Sequence, residues 1–160
     1  MKVPDNSNVV IFGASGDLNF RKLVPALYHL FSTDQLPARF FILGVSRSAF
    51  TDTEFRQAIS SQMLKIEGMD SQRLSEFMEH LYYLSINTAD EHDYGRLKER
   101  LLALYEQYQA PHNTLYYLAT PPSLFGVIPR CLAAHELNKE AEGWKRLIVE
   151  KPIGLSLIHI

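Results

Sequence analysis

The sequence predicts an α/β domain: a doubly wound, mainly parallel sheet with helices on both faces. Three observations carry that prediction. Short β-rich apolar runs alternate with longer stretches of helical period along the chain. Several of the runs are apolar at nearly every position, as strands covered on both faces should be. The first run passes directly into a glycine-containing turn and then a helix, the order in which open α/β sheets present an anion site.

The strands are expected at residues 8–12, 40–45, 81–86, 114–119 and 147–150. Between the first two, Leu23, Leu27, Leu30 and Phe31 share a helical face, and Pro25 starts or kinks a turn there. Thr51-Asp52-Thr53-Glu54 has the spacing of a capping box and opens a helix toward Lys65. Segment 68–79 is polar and reads as a surface insertion between the second and third strands. Asp90 or Thr88 can cap the next helix, whose Leu97, Leu101, Leu104 and Tyr108 fall on one stripe. A last helix follows Pro121-Pro122, with Pro129 able to bend it. No internal repeat or low-complexity linker interrupts the pattern.

Bulk properties exclude several classes of function. The 160 residues suit one domain, or one domain and the edge of a second. A hydrophobic share of 46% beside 21% charged residues is that of a globular protein able to bury a core. A net charge of −2 without a dense basic block gives a nucleic-acid partner no support. The apolar runs fall far short of the ~20 residues that span a bilayer, and the start, Met1-Lys2-Val3-Pro4-Asp5, lacks a signal-peptide pattern. Cys131 is alone, so no internal disulfide can form. Lying among Ile128, Leu132 and Ala133 on a helical stretch, it reads as a buried structural thiol. A cytoplasmic location is expected. The six histidines have no metal-ligand spacing, and no Ser/His/Asp hydrolase context is present.

The most informative stretch is Val9-Val10-Ile11-Phe12-Gly13-Ala14-Ser15-Gly16-Asp17-Leu18. In open α/β sheets a dinucleotide's pyrophosphate sits at this first turn, facing backbone N–H groups and a helix N-terminus. Gly13 permits the tight turn, Gly16 the close approach of backbone to phosphate, and Ser15 can donate its hydroxyl. The spacing is G-x-x-G, weaker than G-x-G-x-x-G as a bare motif, so strand and helix on either side supply its meaning. On pattern alone the glycines could simply make a turn. Asp17, acidic where a phosphate belongs, is expected to cap a helix.

Two later strand ends face the same way. After the second strand comes Gly44-Val45-Ser46-Arg47-Ser48. An NAD-preferring protein carries an acidic residue there for the ribose 2′-OH. Arg47 instead offers a planar fork suited to a 2′-phosphate, unless it is merely a solvated arginine. The fourth strand ends in Ala119-Thr120-Pro121-Pro122, a rigid turn bordering the nicotinamide region, and the fifth in Glu150-Lys151-Pro152-Ile153-Gly154. Glu150 and Lys151 read equally well as an exposed pair or as groups in the crevice.

Together these motifs resemble the glucose-6-phosphate dehydrogenase family. The carriers are Gly13-Ala14-Ser15-Gly16-Asp17-Leu18 followed by Arg21-Lys22-Leu23 and Pro25-Ala26-Leu27-Tyr28; Gly44-Val45-Ser46-Arg47; and Glu150-Lys151-Pro152-Ile153-Gly154, with the Ala119–Pro122 turn between. The resemblance implies a Rossmann-like domain over residues 1–154 that takes NADP, with NAD possible. It also implies a homo-oligomeric full-length enzyme oxidising glucose 6-phosphate. Carried over by position, Gly13, Ala14, Ser15, Gly16, Asp17, Leu18 and Asn19 hold the pyrophosphate and Arg47 the 2′-phosphate. Asn87 and Thr88 line the coenzyme crevice, Lys151 reaches both coenzyme and sugar, and Pro152 is cis. Asn19 stands where Ala or Thr is usual, Phe20 where a basic residue is frequent, and Ile153 where Phe or Leu is found.

The resemblance also implies what this chain lacks. The family's general base, a His within His-Tyr-Leu-Gly-Lys-Glu, and its substrate domain match nothing here, so no catalytic residue is assigned and the chain alone is expected to be inactive. Residues 155–160 read as a tail encoded by a sequencing adapter. The competing reading is a stand-alone nucleotide-binding sensor module. Tyr94-Gly95-Arg96-Leu97-Lys98 has the Tyr-x-x-x-Lys spacing of short-chain reductases, but among His92, Asp93, Glu99 and Arg100 it reads as a solvated helix face.

Overall fold

A computed structural model describes residues 5–150. Five parallel strands form one sheet: β1 (Asn8–Phe12), β2 (Ile42–Ser46), β3 (Leu81–Ser85), β4 (Thr114–Leu118) and β5 (Lys145–Val149). Their spatial order is β3-β2-β1-β4-β5. The chain therefore winds from β1 out to β3, then crosses back to β4, and the reversal beside β1 leaves a crevice at the strands' carboxyl ends.

Side chains alternate along each strand, so the two faces collect separate cores. On one face Val10, Phe12, Leu43 and Leu118 pack against Tyr94, Leu97, Leu101 and Leu104 of α4 (Tyr94–Tyr108) and Ile128, Cys131 and Leu132 of α5 (Val127–Ala134). On the other, Ile11, Ala14, Ile42 and Tyr83 meet α1 (Val24–Ser32), α2 (Asp52–Met63) and α3 (Ser71–Met78). Helices cover both faces, as the buried strand composition requires.

The expected first strand matches residue for residue, and the others differ by one or two residues at their ends, where hydrogen-bonded pairing fades. Pro25 lies at the start of α1, directly after a π-helical turn over Asn19–Leu23, and the helix buries Val24 and Tyr28 more deeply than the expected Leu23–Leu27 stripe. The Thr51–Glu54 capping box is present in both directions. Asp90, not Thr88, caps the turn leading into α4 by accepting the His92 N–H. Pro129 sits in the first turn of α5 and breaks no helical bond.

One expectation is corrected. Segment 68–79 is no surface insertion: Asp70 caps α3, accepting the N–H groups of Gln72 and Arg73, and the helix buries Leu74, Phe77 and Met78. Three apolar residues at i, i+3 and i+4 suffice to anchor a short helix whose other side is polar. Cys131 is buried in the α5 face, and burial pushes its thiol pKa up, which leaves it an inert packing group.

Candidate functional site

The carboxyl ends of β1, β2 and β4 open into a cleft of about 260 Å³. Gly13, Ser15 and Gly16 line it from the first turn, Ser46, Arg47 and Ser48 from the end of β2, and Ala119, Thr120 and Pro121 from the end of β4. Thr88 and Leu124 complete the wall. A groove of about 590 Å³ around Tyr28, His29 and Arg73 is larger, but it lies among the helices of one face, away from the strand ends. The switch point of the sheet, not volume, decides which depression takes a dinucleotide.

Backbone bonds pin the three strand ends together. Gly13 and Ala14 both donate N–H to Val45 O, at 2.9 and 3.3 Å, and Ala119 donates to Phe12 O at 2.9 Å. Gly13 has φ 82°, the left-handed region in which glycine is at ease. Gly16 N–H turns back to Gly13 O at 3.0 Å, while the N–H groups of Ser15, Asp17 and Leu18 find no acceptor among the described residues. Unpaired N–H groups at the start of a helix favour an anion.

The helix after the turn begins with a π-helical segment, Asn19–Leu23. Asn19 is fully buried, and its side-chain amide donates to Ala14 O at 2.7 Å, tying helix to turn. Its Oδ1 has no partner among the described residues. Ala14 is also enclosed, packed so near Gly44 that a β-carbon there would come within 2.8 Å of the Ala14 methyl. Asp17 does not cap the helix as expected; exposed, it pairs with Arg21 at 2.9 Å. Leu18 is half-buried at the helix start.

Arg47 is exposed at the cleft, and its guanidinium has no partner among the described residues. Hydroxyls beside it are tightly interlinked. Ser48 Oγ donates to Ser15 Oγ at 3.1 Å, and Ser46 Oγ lies within hydrogen-bond reach of Ser15 Oγ at 2.8 Å. Tyr83 OH is hydrogen-bonded to Ser46 Oγ and donates to Ser48 O at 2.6 Å. Burial pushes the Tyr83 pKa up, so the phenol stays protonated. Sequence reasoning missed Tyr83, although a phenol inside a buried strand needs a hydrogen-bond partner and so signals a polar network.

Thr88 is buried in the cleft wall, its carbonyl accepting from Tyr94 OH at 2.8 Å. Asn87 is exposed and turned into its own loop, donating N–H to Asp93 at 2.8 Å and accepting Ala89 N–H at 3.1 Å. Thr120 Oγ1 is enclosed without a partner among the described residues. Within β4, Tyr117 donates its hydroxyl to Glu150, and burial, reinforced by that carboxylate, pushes the phenol up to about 12. Glu150 is therefore held against the sheet. Lys151 and Pro152, with the expected cis bond, lie outside the described residues, as do positions 155–160.

Tyr94 is fully buried on the core side of α4, correcting its expected place on a solvated face. It braces the Thr88 loop from within, and burial drives its pKa upward, so it cannot hand a proton to a ligand in the cleft. No three His, Cys, Asp or Glu side chains converge as metal ligands among the described residues.

Comparison with known proteins agrees with this geometry. A family model described as glucose-6-phosphate dehydrogenase, NAD binding domain, matches residues 10–158. The chain is 54% identical over 150 residues to a glucose-6-phosphate 1-dehydrogenase of Aggregatibacter actinomycetemcomitans, covering 94% of this chain and 30% of that protein. It is 39% identical to the Treponema pallidum enzyme of the same name over 93% of the chain and 30% of the relative. Among solved structures, a glucose-6-phosphate dehydrogenase in complex with its substrate superposes with TM-score 0.82 at 30% identity, over 96% of this chain and 32% of that one. The Mycobacterium avium enzyme gives 0.77 at 30% identity, over 93% of this chain and 30% of that one. The chain thus spans about 30% of the length of the curated relatives it matches.

Proposed function

The chain belongs to the glucose-6-phosphate dehydrogenase family, within its coenzyme-binding domain, and from that premise we propose that it is the NADP-holding segment of an enzyme oxidising glucose 6-phosphate to 6-phosphogluconolactone, in the pentose phosphate pathway. The observation that carries the NADP reading is the cleft at the switch point, with Arg47 unpaired among the described residues and no carboxylate in its lining.

The residues present fit a dinucleotide. Ser15 Oγ accepts from Ser48 and lies within hydrogen-bond reach of Ser46 Oγ, so its own proton can turn to an anionic oxygen. That donor and the N–H groups of Ser15, Asp17 and Leu18 suit a pyrophosphate. Gly13 and Gly16 keep the approach clear, while Ala14 and Asn19 shape the turn from beneath. Arg47 matches a 2′-phosphate through two parallel donors. Thr88 and the orphaned Thr120 hydroxyl border the far end, with Asn87 on the adjoining loop and Lys151 following β5.

When bound, the nicotinamide supplies the acceptor for the hydride leaving C1 of the sugar. Residues of this chain hold and orient it; removal of the C1 hydroxyl proton falls to a base elsewhere in the full-length enzyme. That enzyme is read as a cytoplasmic homo-oligomer. No helix of the described residues is long and apolar enough to cross a membrane. The test is to supply the full-length protein with glucose 6-phosphate and NADP and follow formation of reduced coenzyme. Tight NADP binding without any sugar oxidation would favour the sensor-module reading instead.

A further inference from the structure

We propose that Tyr83 is a positioning residue for coenzyme selectivity, acting through the Ser46-Arg47-Ser48 turn rather than touching ligand. The inference rests on the NADP reading of the cleft.

Arg47 reaches solvent from a turn of three residues whose two neighbours are both held by one phenol. Tyr83 OH bonds the Ser46 hydroxyl on one side of Arg47 and donates to the Ser48 carbonyl on the other at 2.6 Å. The ring itself cannot drift. Phe55 lies 4.8 Å from it, Phe50 meets it edge-on at 5.4 Å, and its backbone N–H is fixed to Asp52 Oδ1 at 2.8 Å. Tyr83 is only 3% exposed, so a ligand in the cleft meets the turn and not the phenol. A long, flexible arginine binds an anion well only when its Cα is held where the fork can close on it. Here the anchor is a rigid aromatic residue on the neighbouring strand.

The same hydroxyls reach the phosphate turn. Ser46 Oγ has one proton and two oxygens within reach, Tyr83 OH and Ser15 Oγ. With Tyr83 donating to Ser48 O, the Ser46 proton is drawn toward Tyr83; with Tyr83 donating to Ser46, it is released toward Ser15. Tyr83 thus sits at the branch of a network joining the Arg47 turn to the pyrophosphate turn. The 2′-phosphate depends on the Arg47 turn, whereas NAD makes no demand on it.

The test uses Tyr83→Phe in the full-length enzyme, which keeps the ring and deletes the hydroxyl. Dissociation constants for NADP and NAD are measured at fixed salt, together with KM and kcat. NADP affinity should fall about three- to tenfold, the scale of losing one hydrogen bond's worth of organisation, with NAD changed less than about twofold and kcat held. The ratio of the two constants does not depend on the fraction of folded protein, so a partly destabilised variant still reports. In an Arg47→Ala background the same substitution should change the ratio no further, because the residues act as one unit. Equal losses for both coenzymes, or additivity with Arg47→Ala, overturn the inference while leaving the NADP reading standing. If Arg47→Ala itself leaves the ratio unmoved, the NADP reading falls, and this inference with it.

Discussion

A β-carbon on Gly13 would lie 2.9 Å from the carbonyl carbon of Ala119, with the carbonyl oxygen closer still. The phosphate turn and the end of β4 are thus built against each other, with glycine as the spacer.

Gly13→Ala must therefore displace backbone and also strain a residue at φ 82°. A left-handed alanine costs about 1–2 kcal/mol and forced repacking about 1–3 kcal/mol. We expect a loss of roughly 2–5 kcal/mol, with coenzyme affinity collapsing for NADP and NAD alike. Thermal unfolding paired with binding of both coenzymes checks this. An unaltered melting temperature with weak binding would mean that the turn yields freely, against the geometry described.

Arg47 should behave differently, because the loss is selective. Hydrogen bonds to charged groups are worth about 1.5–3 kcal/mol, so Arg47→Ala should weaken NADP by roughly ten- to a hundredfold. NAD, lacking the phosphate, should hardly change. The measurement is the pair of dissociation constants in the full-length enzyme at low and high salt, since screening weakens an exposed pair. A common loss for both coenzymes would make the residue structural.

Much of this was legible in the sequence, and the gaps have physical causes. β1 is legible to the residue because a largely buried strand running from Asn8 to the residue before Gly13 has sharp edges in both composition and conformation. The Thr51–Glu54 box was visible because capping is local. α3 was missed since Ser71, Gln72, Arg73, Ser75 and Glu76 outweigh its three apolar anchors in any average. At the site, glycine and arginine announced themselves, but the links from Tyr83 to Ser46 and Ser48 bridge positions more than 30 residues apart. Such pairings follow from strand order, which no local pattern contains.

One edge of the sheet is sealed by side chains of α2. Asp52 Oδ1 accepts the Tyr83 N–H at 2.8 Å, its Oδ2 accepts from Arg100 at 2.7 Å, and Arg56 donates to Leu81 O at 2.7 Å. Asp52→Ala strips a strand N–H and an arginine of their shared partner. The expected cost is about 1–3 kcal/mol, measured by denaturant unfolding at unchanged m-value. A neutral result would show that water replaces the carboxylate at no cost.

Alkaline pH should unfold the chain cooperatively. A phenol in an unfolded chain ionises near pH 10, whereas burial pushes Tyr105 up to about 12. Tyr28, Tyr94 and Tyr116 are shifted in the same direction, burial again first among the causes. From about pH 10 upward the unfolded chain has lost protons that the folded chain keeps, so stability present in full below pH 10 declines as pH rises. Each such phenol adds up to about 1.4 kcal/mol per pH unit to the slope. Phenolate absorbance and loss of helical circular dichroism should therefore rise together between about pH 10 and 12. Phenolate appearing well before the structure melts would contradict the burial described.

The opposite edge of the sheet predicts how the isolated chain behaves. Among the described residues β5 pairs only with β4, and Leu147, Ile148 and Val149 remain 42%, 42% and 40% exposed, whereas Tyr116 and Leu118, the partners of Leu147 and Val149, are buried. Glu140 Oε1 accepts the Lys145 N–H at 3.0 Å at the start of this edge, but among the described residues no side chain hydrogen-bonds the outer edge at Leu147 or Val149. Unsealed strand edges with consecutive apolar residues invite pairing with another chain. The 160-residue chain alone should therefore self-associate, with a sedimentation coefficient that climbs with concentration. Ile148→Lys places a charge on the edge without touching the cleft, and should shift the distribution toward monomer at equal concentration. If the lysine variant associates as strongly as the parent, the contact lies elsewhere, with exposed Leu64 and Ile66 near the end of α2 the next surface to test.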